Sequence, residues 1–165
     1  MNISFLRSRE FLWYWLPPLA WCGVVLGLSG DLGSSQHTYG ILKWLLSWFP
    51  SVSPAQFNLI HFYFRKTLGH FGNYAFVYFL WFRAFRGQMG YQPGPAFLWS
   101  LALCLSLALL DEGHQALFPS RGSSLRDVAL DLAGASTAAL ITSIFRTPRQ
   151  AAGRNDKFTD PYPGE

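Results

Sequence analysis

The stretch from Asp111 to Asp131 places ionisable side chains between two almost wholly apolar segments. Adjacent carboxylates at the end of an apolar segment need cations nearby, so we expect Asp111 and Glu112 to be balanced by Lys66, Arg121 and Arg126. Such a group of side chains can bind phosphate, transfer a proton or hold a divalent ion through oxygen atoms. The candidate residues of this stretch are Asp111, Glu112, Gln115, Arg121, Arg126, Asp127 and Asp131.

Helical spacing links these residues to a second polar segment, "RKTLGHFGNY". Lys66, His70 and Tyr74 recur at four-residue intervals, which predicts that they share one helix face, and Asp127 and Asp131 share a face in the same way. His70 and Asp131 lie about one turn inside their helices, where an ionisable group usually turns into the bundle. We therefore predict that four polar segments at helix ends converge. Two belong to the stretch from Asp111 to Asp131, the third is "RKTLGHFGNY", and the fourth is "SGDLGSSQ", which contains Gln36.

Each of these residues also has a purely structural interpretation. Lys66 and Arg126 can be snorkelling side chains at helix ends, and Asp127 can be a carboxylate favoured by a helix N-terminus. Gln36 can belong to an ordinary loop. His70 and Asp131 can be a buried hydrogen-bonded pair that locks two helices together. His37, His61 and His114 are weaker candidates, because interfacial and loop histidines are common.

Composition indicates a single membrane domain. Of 165 residues, half are apolar, 18% are aromatic and 13% are charged, against about 25% charged residues in a soluble domain. The basic residues do not form the cluster expected of a nucleic-acid-binding protein, so we predict no nucleic-acid partner. Cys22 and Cys104 lie in apolar runs and suggest neither a disulfide framework nor a metal pair.

Four apolar segments predict an all-α fold, an integral membrane bundle of four transmembrane helices. The spans cover about 11–29, 68–85, 95–110 and 128–145, near the length needed to cross a bilayer. The third is rather short, so either it extends through Asp111 and Glu112 or the helix is tilted. Pro17 and Pro18 are expected to kink the first span or break its start. In the long outer loop, "YGILKWLLSWF" is too short to span, which favours an interfacial helix. Residues 147–165 are polar and predict a disordered cytoplasmic tail.

The distribution of Lys and Arg predicts the orientation of the bundle. With four spans, eight basic residues fall on one side and five on the other. The richer side should be the cytoplasm, which places both termini there. The polar helix ends then face outward.

The segments "RKTLGHFGNYAFVYFL" and "LLDEGHQALFPSRGSSLRDVALDLAGA" resemble the VanZ-like family of bacterial membrane proteins, and "GDLGSSQ" is similar to the family's serine-glutamine motif. The likeness covers about residues 11–145, so residues 1–146 are identified as a single VanZ-like domain. Asp131 stands where many members have Asn. The resemblance implies a multi-pass protein of the bacterial cytoplasmic (inner) membrane, linked to the cell envelope and, through the family's namesake, to teicoplanin resistance.

The first functional hypothesis is that this outer site binds or modifies an anionic lipid-linked envelope precursor. Lys66, Arg121 and Arg126 would contact phosphate, and His70, Asp111 and Glu112 are the catalytic candidates. The remaining predicted binding residues are Gln36, Tyr74, Gln115, Asp127 and Asp131. No residue is assigned as a metal ligand, although Asp111 and Glu112 could hold a divalent ion, and no cofactor is indicated.

Two other functions stay open. The protein could be a non-catalytic membrane protein that assembles with a partner, with the polar site as its contact. It could also be a small transporter, for which four spans would suffice only in a homo-oligomer. The small residues Gly134, Ala135, Ala138 and Ala139 would then offer the contact between copies.

Overall fold

The computed structural model describes residues 9–48 and 52–144, which are helical apart from short connections and contain no β-strand. The all-α prediction is confirmed for this part of the chain. The tail predicted at 147–165 and the C-terminal end of the span predicted at 128–145 lie outside the described residues. The six α-helices are α1 (Arg9–Ser29), α2 (Ser35–Leu46), α3 (Pro54–Phe64), α4 (Asn73–Gly87), α5 (Pro93–Gln115) and α6 (Leu125–Ile144).

Three of these helices, α1, α5 and α6, are long and apolar enough to cross a membrane. Helices α1 and α5 each contain one predicted span, α6 contains the described part of another, and all three begin a few residues before the predicted start. The fourth predicted span, 68–85, is divided between α4 and a π-helical segment, Arg65–Gly72, which joins α3 to α4. The chain is therefore helical without a break from Pro54 to Gly87.

The N-terminal helix differs from its prediction in one respect. Pro17 and Pro18 lie inside α1, which runs on to Ser29 rather than starting after them. A proline inside a helix removes one backbone donor. In a membrane, a helix tolerates that loss when neighbouring groups compensate for it.

Helix α4 lies at the centre of the bundle and packs against α1, α5 and α6. Its buried stripe includes Tyr74, Tyr78 and Trp81, which belong to one buried cluster with Cys104 of α5 and Ala135 of α6. By contrast, large apolar side chains cover the outside of the bundle, such as Trp13, Leu98 and Leu140, each more than 60% exposed. An apolar exterior of this kind suits a lipid-facing surface, so we describe the chain as a multi-pass membrane protein.

The small residues of α6 are used within the chain. A Cβ atom added at Gly134 would overlap the backbone carbonyl oxygen of Phe71 in the π-helical segment, and Ala135 and Ala139 are fully buried. Close backbone approach is the usual role of such residues in membrane helices. These three residues therefore pack inside one copy of the chain, and a contact between copies through this face stays a prediction.

Candidate functional site

Polar helix ends meet at one end of the bundle. The hydroxyl of Ser29, the last residue of α1, donates to the backbone carbonyl of Asp111 in α5 at 2.9 Å. Lys66 of the π-helical segment forms an ion pair with Asp127 in the first turn of α6. The structure thus brings the end of α1, the π-helical segment, the end of α5 and the start of α6 together.

The π-helical segment carries the basic residues Arg65, Lys66 and His70. Its i→i+5 hydrogen bonds are rare in proteins and are frequent at functional sites. Lys66 and His70 both point toward α6, where Lys66 reaches Asp127 and His70 reaches Asp131. The predicted shared face of these two residues is therefore observed, although the backbone is not α-helical here.

His70 lies between two carboxylates of α6. Its Nδ1 atom is 3.1 Å from Oδ1 of Asp131 and its Nε2 atom is 3.8 Å from Oδ2 of Asp127. Asp131 is completely buried, and its second oxygen, Oδ2, has no hydrogen-bond partner among the described residues. A buried carboxylate oxygen without a donor is costly, so this part of the cluster has capacity for another interaction.

Glu112 joins α5 to the loop that precedes α6. Its Oε2 atom accepts the backbone N–H of Ser124 at 2.6 Å, and its Oε1 atom accepts from Nε2 of Gln115 at 3.3 Å. The residue is only 4% exposed. Its neighbour Asp111 is also buried, but lines a cavity. The two adjacent carboxylates therefore have different surroundings.

Two arginines share one acceptor at the edge of this cluster. Arg65 donates to the carbonyl of Gly33 at 2.9 Å and to the hydroxyl of Thr38 at 2.9 Å, and Arg121 donates to the same Gly33 carbonyl. The Nε atom of Arg121 is buried without a hydrogen-bond partner in the described part of the chain. Burial lowers the pKa of both guanidiniums, and for Arg121 the charge of Asp111 acts in the opposite direction.

Arginine stays charged in proteins, so two positive charges lie close together at the Gly33 carbonyl, in a partly buried position. Two guanidiniums that share one acceptor repel one another, and an anion bound between them would relieve that repulsion. Arg65 was not among the predicted site residues, because at the start of an apolar segment it matched a snorkelling side chain. Its partner is 32 residues away in sequence, so local spacing gave no signal.

A cavity of about 660 Å³ opens beside these arginines, between α1, α2 and the π-helical segment. Its polar end is formed by Arg65, His70, Asp111, Gln115 and Arg121. Its other walls are apolar and belong mainly to α1 and the π-helical segment. Asn73 also lines it and accepts a hydrogen bond from the indole N–H of Trp21 at 2.7 Å, a polar contact that the sequence interpretation did not assign.

Not every predicted site residue reaches this cavity. Gln36 and Arg126 are exposed on α2 and α6 and do not line it. Lys66 pairs with Asp127 instead of balancing Asp111 and Glu112, so that expectation is corrected. Tyr74 is fully buried beneath the site, and its hydroxyl has no hydrogen-bond partner within the described ranges.

A separate network joins α2 to α3. The His61 Nε2 atom is 3.0 Å from the hydroxyl of Thr38, which also receives Arg65. The His61 ring packs against Tyr39 with a centroid separation of 5.5 Å. This network anchors α2 beside the cavity.

One set of side chains in the cluster has the geometry of a metal site. His70, Glu112 and Asp131 each offer a ligand atom, and these three atoms lie within 4.8 Å of one another. The sequence assigned no metal ligands, because the three residues lie on three different elements with no motif spacing between them.

Comparison with known proteins agrees with the resemblance drawn from the motifs. The model of the VanZ/LLP1 family matches residues 15–146, which include every residue of the cavity and of the carboxylate cluster. No curated protein and no solved structure matches the chain significantly.

Proposed function

The chain belongs to the VanZ/LLP1 family, and on that premise we propose that it binds an anionic lipid-linked group of the cell envelope in this cavity. The observation that carries the proposal is the amphipathic cavity, in which apolar walls lead to a polar end with two arginines. A lipid with a phosphate headgroup matches this arrangement, because it has an apolar tail and a negatively charged head. Arginine forks are well suited to phosphate oxygens.

The apolar walls fit a chain that stays in the membrane. Val24 and Leu28 of α1 and Phe76 of α4 line the cavity and are also 43%, 51% and 44% exposed on the outside of the bundle. A cavity with exposed apolar edges can be entered sideways from the hydrocarbon layer. The lipid tail would then remain in the bilayer while the headgroup reaches Arg65 and Arg121.

The unpaired donor of Arg121 supports a ligand at this position. Its buried Nε–H has no acceptor among the described residues, and an unsatisfied donor costs about 1–3 kcal/mol. A phosphate oxygen would supply the missing acceptor and would lie near the second guanidinium. His70 and Asp111 line the same end, where they could transfer a proton if the bound group reacts.

The proposal includes four membrane crossings with both termini in the cytoplasm. The helix from Pro54 to Gly87 contains 34 residues, which is about 51 Å at 1.5 Å per residue. That length exceeds the hydrocarbon thickness of about 30 Å, so it can include the crossing predicted at 68–85 and extend beyond it. Arg83 and Arg86 lie at its other end, on the proposed cytoplasmic side.

On this topology α2 lies at the outer surface beside the cavity. Its exposed apolar residues include Ile41, Trp44 and Leu45, which supports an interfacial position, with that face in the headgroup region. The site would then face the outer leaflet of the bacterial inner membrane, where lipid-linked envelope precursors are used. A contribution to teicoplanin resistance would follow from action on such a precursor.

Lipid binding is tested with the full-length protein in detergent and two probes, a polyprenyl phosphate and the matching uncharged polyprenol. Native mass spectrometry should show the phosphate bound at least 10-fold more tightly than the alcohol. Arg121→Ala and Arg65→Ala should each reduce phosphate binding at least 10-fold, because each removes a cation at the polar end.

Arg126→Ala is the matched control, because Arg126 is exposed and outside the cavity. Thermal unfolding of each variant shows whether it is folded. If Arg121→Ala and Arg126→Ala bind the phosphate equally well, or if the alcohol binds as tightly as the phosphate, the proposal is wrong.

Chemistry at the site is separated from binding with His70→Gln. A variant that accumulates and binds the polyprenyl phosphate normally, but loses an envelope phenotype such as teicoplanin tolerance, would indicate that His70 acts on the bound group. An unchanged phenotype with normal binding would favour the non-catalytic alternative, in which the site only holds a lipid or a partner.

A further inference from the structure

From the side chains at the junction of the π-helical segment, α5 and α6, we infer that His70, Glu112 and Asp131 form a binding site for one divalent metal ion. The three residues come from three elements that are far apart in sequence and meet only in the folded chain. The site shares His70 with the lining of the cavity but does not include the arginine pair that carries the proposed lipid binding.

The separations between the donor atoms suit a metal ion. One atom from each residue lies within 4.8 Å of the other two. Two oxygen ligands on opposite sides of Ca²⁺ are separated by about 4.6–5.2 Å, since each bond is about 2.3–2.6 Å long. Smaller ions bring opposite ligands to about 4.0–4.2 Å, which the three donors reach by a small contraction.

The unpartnered oxygen of Asp131 is the independent observation that points to a ligand. Asp131 is completely buried, and its Oδ2 atom accepts no hydrogen bond from any described residue. Its other oxygen faces His70. A metal ion would satisfy the unpaired oxygen, whose burial otherwise carries an uncompensated cost.

The charges around the set also favour a cation. Four carboxylates, those of Asp111, Glu112, Asp127 and Asp131, are buried at this end of the bundle. Among the described residues, Lys66 forms an ion pair with Asp127 and with no other carboxylate of this cluster. Neither Glu112 nor Asp131 pairs with Lys or Arg there. Buried charges in proteins are either paired or bound to metals.

Neighbouring groups hold Glu112 in place. Its carboxylate accepts hydrogen bonds from the Ser124 backbone and from Gln115, and such contacts orient ligands at metal centres and raise their affinity. An imidazole nitrogen with two carboxylates is a mixed nitrogen and oxygen donor set. Imidazole suits Zn²⁺ and carboxylates suit Mn²⁺, Mg²⁺ and Ca²⁺, so Mn²⁺ is a suitable spectroscopic probe.

The test is a Mn²⁺ titration of the full-length protein, purified in detergent without added lipid and followed by electron paramagnetic resonance. We expect one saturable ion for each chain. Glu112→Gln and Asp131→Asn should each weaken Mn²⁺ binding at least 10-fold. Glu10→Gln, which makes the same chemical change as Glu112→Gln at an exposed position in the first turn of α1, should bind like the wild type.

A measurement on the wild type alone covers the case in which the variants do not fold. Pulsed electron paramagnetic resonance should detect coupling between bound Mn²⁺ and an imidazole nitrogen, since His70 is a ligand. The inference is overturned by the absence of saturable binding, by equal affinity in Glu112→Gln and Glu10→Gln, or by bound Mn²⁺ without nitrogen coupling. Because no lipid is added, the result does not depend on the proposed lipid site.

Discussion

The two ends of the bundle use charged residues in opposite ways. At the end that carries the site, Lys66, His70, Asp127 and Asp131 are paired with one another. At the other end, Arg83 stacks over the rings of Trp13 and Tyr14 and donates to a backbone carbonyl. Charges that face each other across helices fix the helices and can receive a ligand, whereas charges that rest on aromatic rings mainly anchor a helix end at a membrane interface.

The same contrast holds for the glycines that allow close packing at each end. At the site end, a Cβ atom at Gly134 would overlap the backbone of Phe71. At the other end, the atoms nearest to a Cβ atom at Gly87 would be ring atoms of Tyr14. A backbone neighbour cannot move without shifting its helix, but a ring at the end of a side chain can. Packing at the site end is therefore the less tolerant of the two.

The largest expected effect on stability comes from Gly134→Ala. Overpacking typically costs about 1–3 kcal/mol, and this substitution should cost at least the upper part of that range because α6 must move away from the π-helical segment. Gly87→Ala should cost less than 1 kcal/mol. The free energies of unfolding are compared in mixed micelles titrated with SDS.

Gly27→Ala is the matched control, since nothing lies within 4 Å of a Cβ atom there. It should leave the stability unchanged or raise it slightly, because alanine favours helix more than glycine does. An equal loss of stability in Gly134→Ala and Gly87→Ala would show that the two ends tolerate added volume alike.

An intermediate effect is expected from removing one cation at each end. Lys66→Met leaves the carboxylate of Asp127 buried without its cation, which should cost about 1–3 kcal/mol. Arg83→Met removes a cation–π contact at a more open position and should cost about 0.5–1 kcal/mol. The same SDS titration measures both. If Arg83→Met proves the more destabilising, the ion pair is not what stabilises the site end.

The smallest effect concerns pH and the α2–α3 contact at the site end. Burial and the charge of Arg65 lower the pKa of His61, so the folded chain takes up a proton less readily than the unfolded chain. The stability from neutral His61 is present above about pH 6.5 and is lost as the pH falls toward the lower pKa of the folded state. After correction for the intrinsic exchange rates, the protection of the α2 amides should therefore decrease between pH 7 and pH 5.

His61→Gln supplies the comparison, because glutamine does not titrate. Its α2 amides should show the same protection at both pH values once the intrinsic exchange rates are corrected for. Amides of α1 near Trp13, at the opposite end, should not respond in either protein. A pH response in α2 that persists in His61→Gln would assign the effect to another group.

Helix content and the grouping of the polar residues could be predicted from the sequence. Apolar runs located α1, α5 and α6, since membrane helices need about 20 such residues. The helix ends were less accurate. The third span was predicted at about 95–110, with an extension through Asp111 and Glu112 as an alternative, and α5 continues to Gln115. Backbone hydrogen bonds continue past the first charged residue when that residue faces the bundle.

The assignment of roles within the site was less predictable. Arg121 and Arg126 are close together in sequence, yet of these two only Arg121 lines the cavity. The loop before α6 directs Arg121 toward the cavity, whereas Arg126 lies on the exposed face of α6. Lys66 was expected to balance Asp111 and Glu112, but the approach of α6 to the π-helical segment places Asp127 nearer. Such choices depend on contacts between residues that are far apart in the chain, and spacing along one helix does not encode them.

The π-helical segment also makes the position of the site depend on residue number. Successive residues of an α-helix are about 100° apart around its axis. The i→i+5 hydrogen bonds of the π-helical segment close a wider turn than those of an α-helix, so the segment holds extra residues in each turn. Deleting one residue between Lys66 and His70 would leave them three positions apart and would shift one of them around the helix axis, so that the contacts to Asp127 and Asp131 would no longer both form as they do here. Chain length within Arg65–Gly72 is thus as restrictive for this protein as the identity of the side chains it carries.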